Sequence, residues 1–481
     1  MLGVYSWRYH AEKDDGRVDL NDTALHKTLA ERARWYLKVV GISTVMLWAA
    51  LSLFYGCVHK RGSLVNNIKV QVIDLDGGEV GANITRMVLD TPPSNSLPTW
   101  EKFDGVDSID AAKTWVRRNG WGALVINSGL TKRLNSALYN GEEYNSTKAL
   151  TLLVSTGRQA IAELMFVQSA LTEVPNAVRT KYSLQLISQF RSLSAEQKAG
   201  LRTNHAVLFD PLHYTKINVA PDNYPIAPVA TTFGYLVCTL CTLPMLISCK
   251  FSSFPIFQKV KYRHLVPMWI TLIFCWSLTV SLYYSLAFLA FKGPDYKWLH
   301  QGLAYTAGRF FSIWFSATAV VMVVALWLFM WFLNLPPCIL ALPSLLTVLP
   351  NVVSCINPME LAPRFYRFFY ALPFYNGTKI MKYITTGAYP RLGLNIGVLL
   401  GEVAVMMLAL SASIWLRQYF VLQGMSDFHG WYRGTIFFHS PVPYYRQQCA
   451  EPSGDGESTV HITDDDDSDD DVSLRTGNLG V

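Results

Sequence analysis

The sequence predicts an α-helical polytopic membrane protein with six transmembrane helices and an extracytoplasmic α/β domain between the first and second. Three observations lead there. Hydrophobic residues make up 51% of the chain and charged residues 16%, against about a quarter charged in soluble domains. The apolar residues gather in charge-free runs, at 39–58, 265–291 and 310–359; about twenty such residues match the hydrocarbon core of a bilayer. A long polar segment with strand and helix patterns separates the first run from the others.

Residues 1–35 read as a cytoplasmic N-terminal segment. The first span follows at 36–58, with its charge-free part at 39–58. It lies behind a polar stretch and is too long for a signal-peptide core, so it reads as an uncleaved anchor. Residues 59–226 form the α/β domain. "NIKVQVIDLDGG" alternates over Ile68, Val70 and Val72 before a turn, which is a strand signature. "DTPPSNSLPT" is a loop. "WGALVIN" and "ALTLLVS" are short apolar runs of the buried-strand kind. "SGLTKRLNSALYNG" reads as a helix with Ser128 as N-cap and Asn140-Gly141 as its stop. "GRQAIAELMFVQSALTEV" and "KYSLQLISQFRSLSAEQ" have helical spacing. No cysteine falls in this domain, so it folds without disulfides.

The membrane domain occupies 227–416, with spans at 227–249, 265–291, 310–333, 335–356 and 392–416. Pro336 and Pro337 split the fourth from the fifth, because proline cannot continue a helix comfortably. A cytoplasmic juxtamembrane segment covers 417–449. The tail, 450–481, carries "TDDDDSDDD", a self-repelling acidic block that stays disordered and offers Thr463 and Ser468 as targets of an acidic-directed kinase.

Charge sets the orientation. The loop between the second and third spans carries Lys250, Lys259, Lys261 and Arg263 and no acid, which places it in the cytoplasm. An even number of spans then puts both termini there. The glycosylation sequons at Asn83, Asn145 and Asn376 all fall outside. One segment pulls the other way. Residues 357–391 hold Arg364, Arg367, Lys379, Lys382 and Arg391 against Glu360 alone, and the positive-inside rule would place them in the cytoplasm. The cleaner basic loop decides.

Chemistry is sparse. No G-x-x-x-x-G-K-[ST], H-E-x-x-H or G-x-S-x-G occurs, so no enzyme, cofactor or metal is expected. Nothing points to nucleic acid. Cys238 and Cys241 form a C-x-x-C inside an apolar span, where packing is the better reading. Glu402 is the ionisable residue inside a span. An intramembrane carboxylate defaults to a functional hypothesis; the alternative is that it lies near the outer interface, hydrated or bonded to a neighbouring span.

"KVQVIDLDGG" from Lys69, "WGALVINSGLTKRLNSAL" from Trp121 and "ELAPRFYRFFYALPFYNG" from Glu360 carry a resemblance. Across residues 36–430 the chain resembles the fungal nitrosoguanidine-resistance (DUF3533-like) family. Its layout is similar to type-two ABC-transporter permeases with a large insert after the first span. The resemblance implies drug or toxicant resistance, by export of hydrophobic compounds or by phospholipid movement and membrane organisation. The implied partners are membrane lipid, hydrophobic small molecules, and either a second copy or a separate ATPase subunit. The implied location is the plasma membrane. The alternative is a non-transporting organiser or sensor whose outer domain binds a surface partner.

In such permeases the segment between the last two spans forms short helices in the outer leaflet. Here that segment is "PRFYRFFYALPFYNGTK", residues 363–379. Read as an α-helix, it turns Phe365, Phe368, Phe369 and Phe374 to lipid or bundle and sets Arg364 and Arg367 at headgroup level. Pro373 ends the helix and Asn376-Gly377 turns the chain. With Tyr375, these residues form a candidate outer gate.

Overall fold

The computed structural model describes residues 23–59, 61–92, 97–190, 198, 206–221, 230–291, 307–335 and 340–422. Five helices are long and apolar enough to cross a membrane, over Tyr36–Val58, Thr231–Lys250, Tyr262–Ala290, Ala307–Asn334 and Leu392–Phe420. A small sheet lies between the first and second of them. The chain is an integral membrane protein of polytopic helical type with an inserted α/β unit.

In chain order, α1 is Thr23–Val58, β1 Lys69–Asp74, α2 Glu79–Leu89, β2 Thr99–Lys102, α3 Ile109–Arg118, β3 Gly122–Ile126, α4 Leu130–Asn140 and β4 Leu150–Val154. Helix α5, Gln168–Phe190, is entered through a short turn at Ala160–Ala162 and a π-helical turn at Glu163–Val167; β5 is Tyr214–Asn218. The strand order is β2-β1-β3-β4-β5. β1 runs parallel to β2 and β3, β4 is antiparallel to β3, and β5 is parallel to β4.

Alternate residues of a strand face opposite sides. Val70, Val72, Leu124, Ile126 and Leu152 enter the larger core with α2, α4 and α5. Ile73, Ala123, Val125 and Leu153 enter a smaller one with Ala112 and Val116 of α3. Both faces are covered, so β3 and β4 read as unbroken apolar runs. The sequence therefore marked β1, β3 and β4, but β2, β5, α2 and α3 are too short or too polar to stand out.

Two loops at the C-terminal ends of β1 and β3 cap each other's helices. The backbone N–H of Thr131 donates to Asp76 Oδ1 at 3.0 Å, and the Thr131 hydroxyl donates to Asp76 Oδ2. Thr131 Oγ1 in turn accepts from the N–H of Val80 at 3.2 Å. Asp76 thus caps α4, and Thr131 caps α2. This corrects the sequence reading. Gly129, in the left-handed region at φ 70°, holds the N-cap position of α4, not Ser128, and the capping oxygen comes from another loop. A Cβ on Gly78 would run into the Thr131 hydroxyl, which explains the glycine before α2.

The bundle continues with α6 Tyr235–Lys259, α7 Tyr262–Ala290, α8 Ala307–Asn334, α9 Ala341–Ile356, a 3-10 helix at Arg364–Ala371, α10 Pro373–Thr386 and α11 Leu392–Leu422. Helix α8 is central, with 67% of its apolar window buried against 6% for α1. Small residues set its approach to α7. Ser277, Ser281 and Ser285, four apart, are fully buried, and Ser281 Oγ lies 2.6 Å from Thr318 Oγ1. At one end of the bundle Lys250 Nζ donates to the carbonyls of Phe332 and Leu335, at 2.9 and 2.6 Å, satisfying the C-terminus of α8.

Of the predicted fifth span, 336–339 lie outside the described residues, and the rest includes α9, a helix of 16 residues. At 1.5 Å per residue it is about 24 Å long, short of a hydrocarbon core of about 30 Å. It starts beside α8, where Leu335, Trp331, Leu342 and Pro343 line one groove, and it ends against the α/β domain. Ile42 and Met46 of helix α1 line the same groove, and polar contacts hold its C-terminus. Asn357 Nδ2 donates to Cys57 O at 3.1 Å, and Gly56 lies against the Tyr366 hydroxyl, where a Cβ has no room.

Asp76→Ala should remove the cap of α4 and cost about 1–2 kcal/mol. Hydrogen exchange at the first-turn amides of α2 and α4 should then accelerate about tenfold. Unchanged protection at both would refute the mutual cap.

Candidate functional site

In a 3-10 helix, residues three apart eclipse. From Arg364 to Ala371 this sorts the aromatics into stripes. Tyr366 and Phe369, with Leu372 beyond, are buried against Cys57 and Val353. Phe365 and Phe368 are 69% and 43% exposed. Arg364, Arg367 and Tyr370 form an exposed third stripe. Arg364 and Arg367 therefore share a side, as the sequence suggests. Phe369 and Phe374 take the bundle side: both are fully buried, and the Phe374 ring packs 5.5 Å from that of Tyr235.

The short helix stops at Ala371, just before Pro373, as the sequence suggests; Pro373 also begins α10, because its fixed φ suits the first helical position. Asn376 and Gly377 lie inside that helix, not in a turn. Gly377 allows α10 to approach α8 and α6, since a Cβ would come within 2.5 Å of Val320. Asn376 is buried, and its Nδ2 donates to the carbonyls of Tyr370 and Leu372, both at 3.0 Å. A glycan on that nitrogen would displace both bonds. Asn83 is half-buried on α2, where its Nδ2 donates to Gln185 Oε1 at 3.3 Å, and Thr85 of its sequon is buried. Asn145 is exposed, with its Oδ1 accepting from the Thr147 N–H and hydroxyl. Tyr375 is half-buried on α10.

Above α10 the α/β domain meets the bundle through a layer of cations. The Arg158 guanidinium lies 5.1 Å from the Trp121 ring centre and 4.7 Å from that of Tyr389. The Tyr389 ring centre also lies 3.3 Å from Lys379 Nζ, and Lys379 lies 5.1 Å from the Tyr375 ring. The result is a ladder, Trp121–Arg158–Tyr389–Lys379–Tyr375, alternating ring and cation. Lys382 Nζ donates to Arg158 O and Gln159 Oε1, both at 2.8 Å, while Gln159 Nε2 donates to the Ile356 carbonyl. Burial pushes the Lys379 ammonium well below its ordinary range. Among the described residues Tyr389 is the non-glycine residue with positive φ, at 62°. Such strain persists only where the surroundings impose it.

Glu163 lies fully buried beneath this layer, its Oε1 accepting from the N–H of Ser155 at 3.4 Å. Burial pushes its carboxyl up to about 8, opposed by the Ser155 N–H and then by Arg158 and Lys216.

Beside the ladder a cleft of about 700 Å³ runs between α8, α10 and α11. Arg117 and Arg118 of α3 and Arg309 of α8 line it, together with apolar walls that include Phe315, Ala319, Ile384 and Leu399. No carboxylate lines it among the described residues. From Arg309 to Ala319 α8 rises about 15 Å, half the thickness of a hydrocarbon core. Phe311, Phe315 and Leu400 stay 46%, 55% and 59% exposed, so the cleft opens sideways between apolar helices.

The sequence reading missed this site. "WVRRNG" and "AGRFF" each show arginine at a helix end, but only the fold brings them together. Glu402 lies apart, half-buried on α11, and its Oε2 has no hydrogen-bond partner among the described residues. Cys238 is buried and Cys241 exposed, and no metal-binding cluster occurs among the described residues. Thr463 and Ser468 lie outside the described residues.

Glu163 yields a pH prediction. Its folded pKa is raised above the unfolded value of 4.5. Its contribution is therefore full below about 4.5 and is lost as the pH rises through about 8. Glu163→Gln should raise Tm by a few degrees at about pH 8.5 and leave it unchanged near pH 4.5. An equal effect at both would place the carboxyl elsewhere.

No curated protein and no solved structure matches this chain. One family, described as a protein of unknown function (DUF3533), matches it over residues 40–408. That stretch takes in nearly all of the first span, the whole α/β domain, the cationic layer, the arginine cleft and α11 beyond Glu402. The chain belongs to the DUF3533 family.

Proposed function

We propose that this chain is a permease-like membrane protein that takes amphiphiles from one leaflet and moves or orders them, with resistance to hydrophobic toxicants as the consequence. The observation that carries this is the cleft. It is cationic at the α/β end, apolar along its length, open to the side, and about one leaflet deep. A soluble substrate needs no lateral opening between apolar helices; a lipid or a lipid-like drug does.

The reading extends to orientation and partners. The α/β domain faces away from the cytoplasm in the plasma membrane, and Lys250, Lys259, Lys261 and Arg263 face it from the other end. With no phosphate-cradling loop of its own, the chain works by passive lipid exchange as a homodimer or draws on a separate ATPase subunit. The type-two permease likeness of its layout supports this. The exposed stripe of Phe365 and Phe368, flanked by Arg364 and Arg367, supports an element at headgroup level.

Two measurements test the reading. In vesicles holding the purified chain, a tail-labelled phospholipid should exchange between leaflets faster than in empty vesicles. Ala319→Phe, which fills the cleft, should slow it toward the empty-vesicle rate. Exchange no faster than in empty vesicles would refute the transport reading. For orientation, glycosidase treatment of cell membranes should shift the mass of the wild type but not of Asn145→Gln. A shift lost only with Asn376→Gln would overturn the packing around α10.

A further inference from the structure

Among the described residues every charged side chain lining the cleft is an arginine, and together they lie at one end of an apolar slot. We infer that the ligand is an anionic amphiphile whose phosphate-type head is held by Arg117, Arg118 and Arg309 while its chain lies against α8, α10 and α11. This rests on the amphiphile reading above and adds the sign of the head.

The fold explains the arrangement. Helix α3 crosses over between parallel strands, so its C-terminal turn, carrying Arg117 and Arg118, lies at the end of the sheet where β3 begins. Trp121, beside the start of β3, packs under Arg158, and the Arg158 guanidinium donates to the carbonyls of Arg118 and Gly120 at 3.5 and 3.4 Å. Arg158 therefore adds positive charge behind the cleft. Gly387 takes the left-handed φ of 73° that ends α10, in ordinary contact range of Arg117, whose Cδ is 3.7 Å from where a Cβ would lie. Arg309 occupies the first turn of α8, and the first turn of α11 begins at Leu392 on the same rim. Both helix N-termini add partial positive charge.

Guanidinium groups bind phosphate oxygens through paired, charge-assisted hydrogen bonds. A cationic head at the same place would meet three like charges beside a low-dielectric wall. Along α8 the slot runs about 15 Å from Arg309 to Ala319, and along α11 about 12 Å from Leu392 to Leu400. That suits one chain of a lipid whose head stays at the rim. Free phosphate shares the head chemistry but would leave the slot empty.

The test uses the full chain in maltoside micelles and three probes with one labelled acyl tail: lysophosphatidic acid, a monoacylglycerol and an alkyltrimethylammonium. The lysophosphatidic acid should bind at least about tenfold more tightly than the ammonium, and added salt should narrow the gap. The double variant Arg117→Glu, Arg118→Glu should reverse the order of the charged probes, a change of preference that misfolding cannot produce. Ala319→Phe should weaken all three. Equal binding of anion and cation, still lost with Ala319→Phe, would overturn the inference and leave the amphiphile reading standing. Binding of every probe unaffected by Ala319→Phe would sink both. Full displacement by millimolar inorganic phosphate would make the ligand a soluble anion and refute the lipid head.

Discussion

The contact on which the rest of the structure depends is the cationic layer between sheet and bundle. Arg158, Lys379 and Lys382 meet there, and desolvating a charge costs several kcal/mol unless it is paired. Ring faces and carbonyls meet them, through Trp121, Tyr389, Tyr375 and the Arg158 backbone. Because the Tyr389 ring meets both Arg158 of the α/β domain and Lys379 of α10, the ladder fixes α10 under the α/β domain. That in turn sets Arg117 and Arg118 beside Arg309.

The second constraint is close approach. Gly56 admits the Tyr366 hydroxyl, and Gly377 admits Val320 and Tyr235. Buried asparagines finish the job with hydrogen bonds that apolar residues cannot make. Asn351 Oδ1, within α9, accepts from the N–H of Phe374 at 3.1 Å and so caps α10. Asn376 returns the favour to the end of the 3-10 helix. In hydrocarbon an unmet backbone group costs several kcal/mol, so α10 can begin in mid-bundle only because these side chains meet its end.

Much of this was legible in the sequence and some was not, for physical reasons. Long apolar runs reveal α1, α6, α7, α8 and α11 because length alone decides them. Strand β1 shows by its alternation, and β3 and β4 show because both faces are apolar. Helix α3, "IDAAKTWVRR", buries only Ala112 and Val116, too little periodicity to notice. Residues 363–379 were read as an interfacial element, with Pro373 and Asn376-Gly377 as breakers. A proline at a first helical turn and a glycine at a helix crossing look the same in sequence as a turn. The arginine cleft was invisible because its three cations come from positions about 190 residues apart, and no local pattern encodes a long-range meeting.

The reversal of β4 explains why the site lies where it does. In open α/β sheets ligands usually bind outside the carboxyl ends of the strands, at the switch point between neighbours such as β1 and β3. Here that crevice is closed by Asp76 and Thr131, whose mutual caps consume the helix N-termini that would hold an anion. It also lies a strand's length, roughly 20 Å, from the end where Asn67 bonds to Glu360. By running antiparallel to β3, β4 brings its own C-terminal loop back to the bundle end. That loop carries Gly157, Arg158 and Gln159, and Gly157 fits where a Cβ would meet Thr386. With β4 parallel, Arg158 would emerge at the far end, the ladder would lose its central cation, and the arginines of α3 would have nothing to hold them over α8.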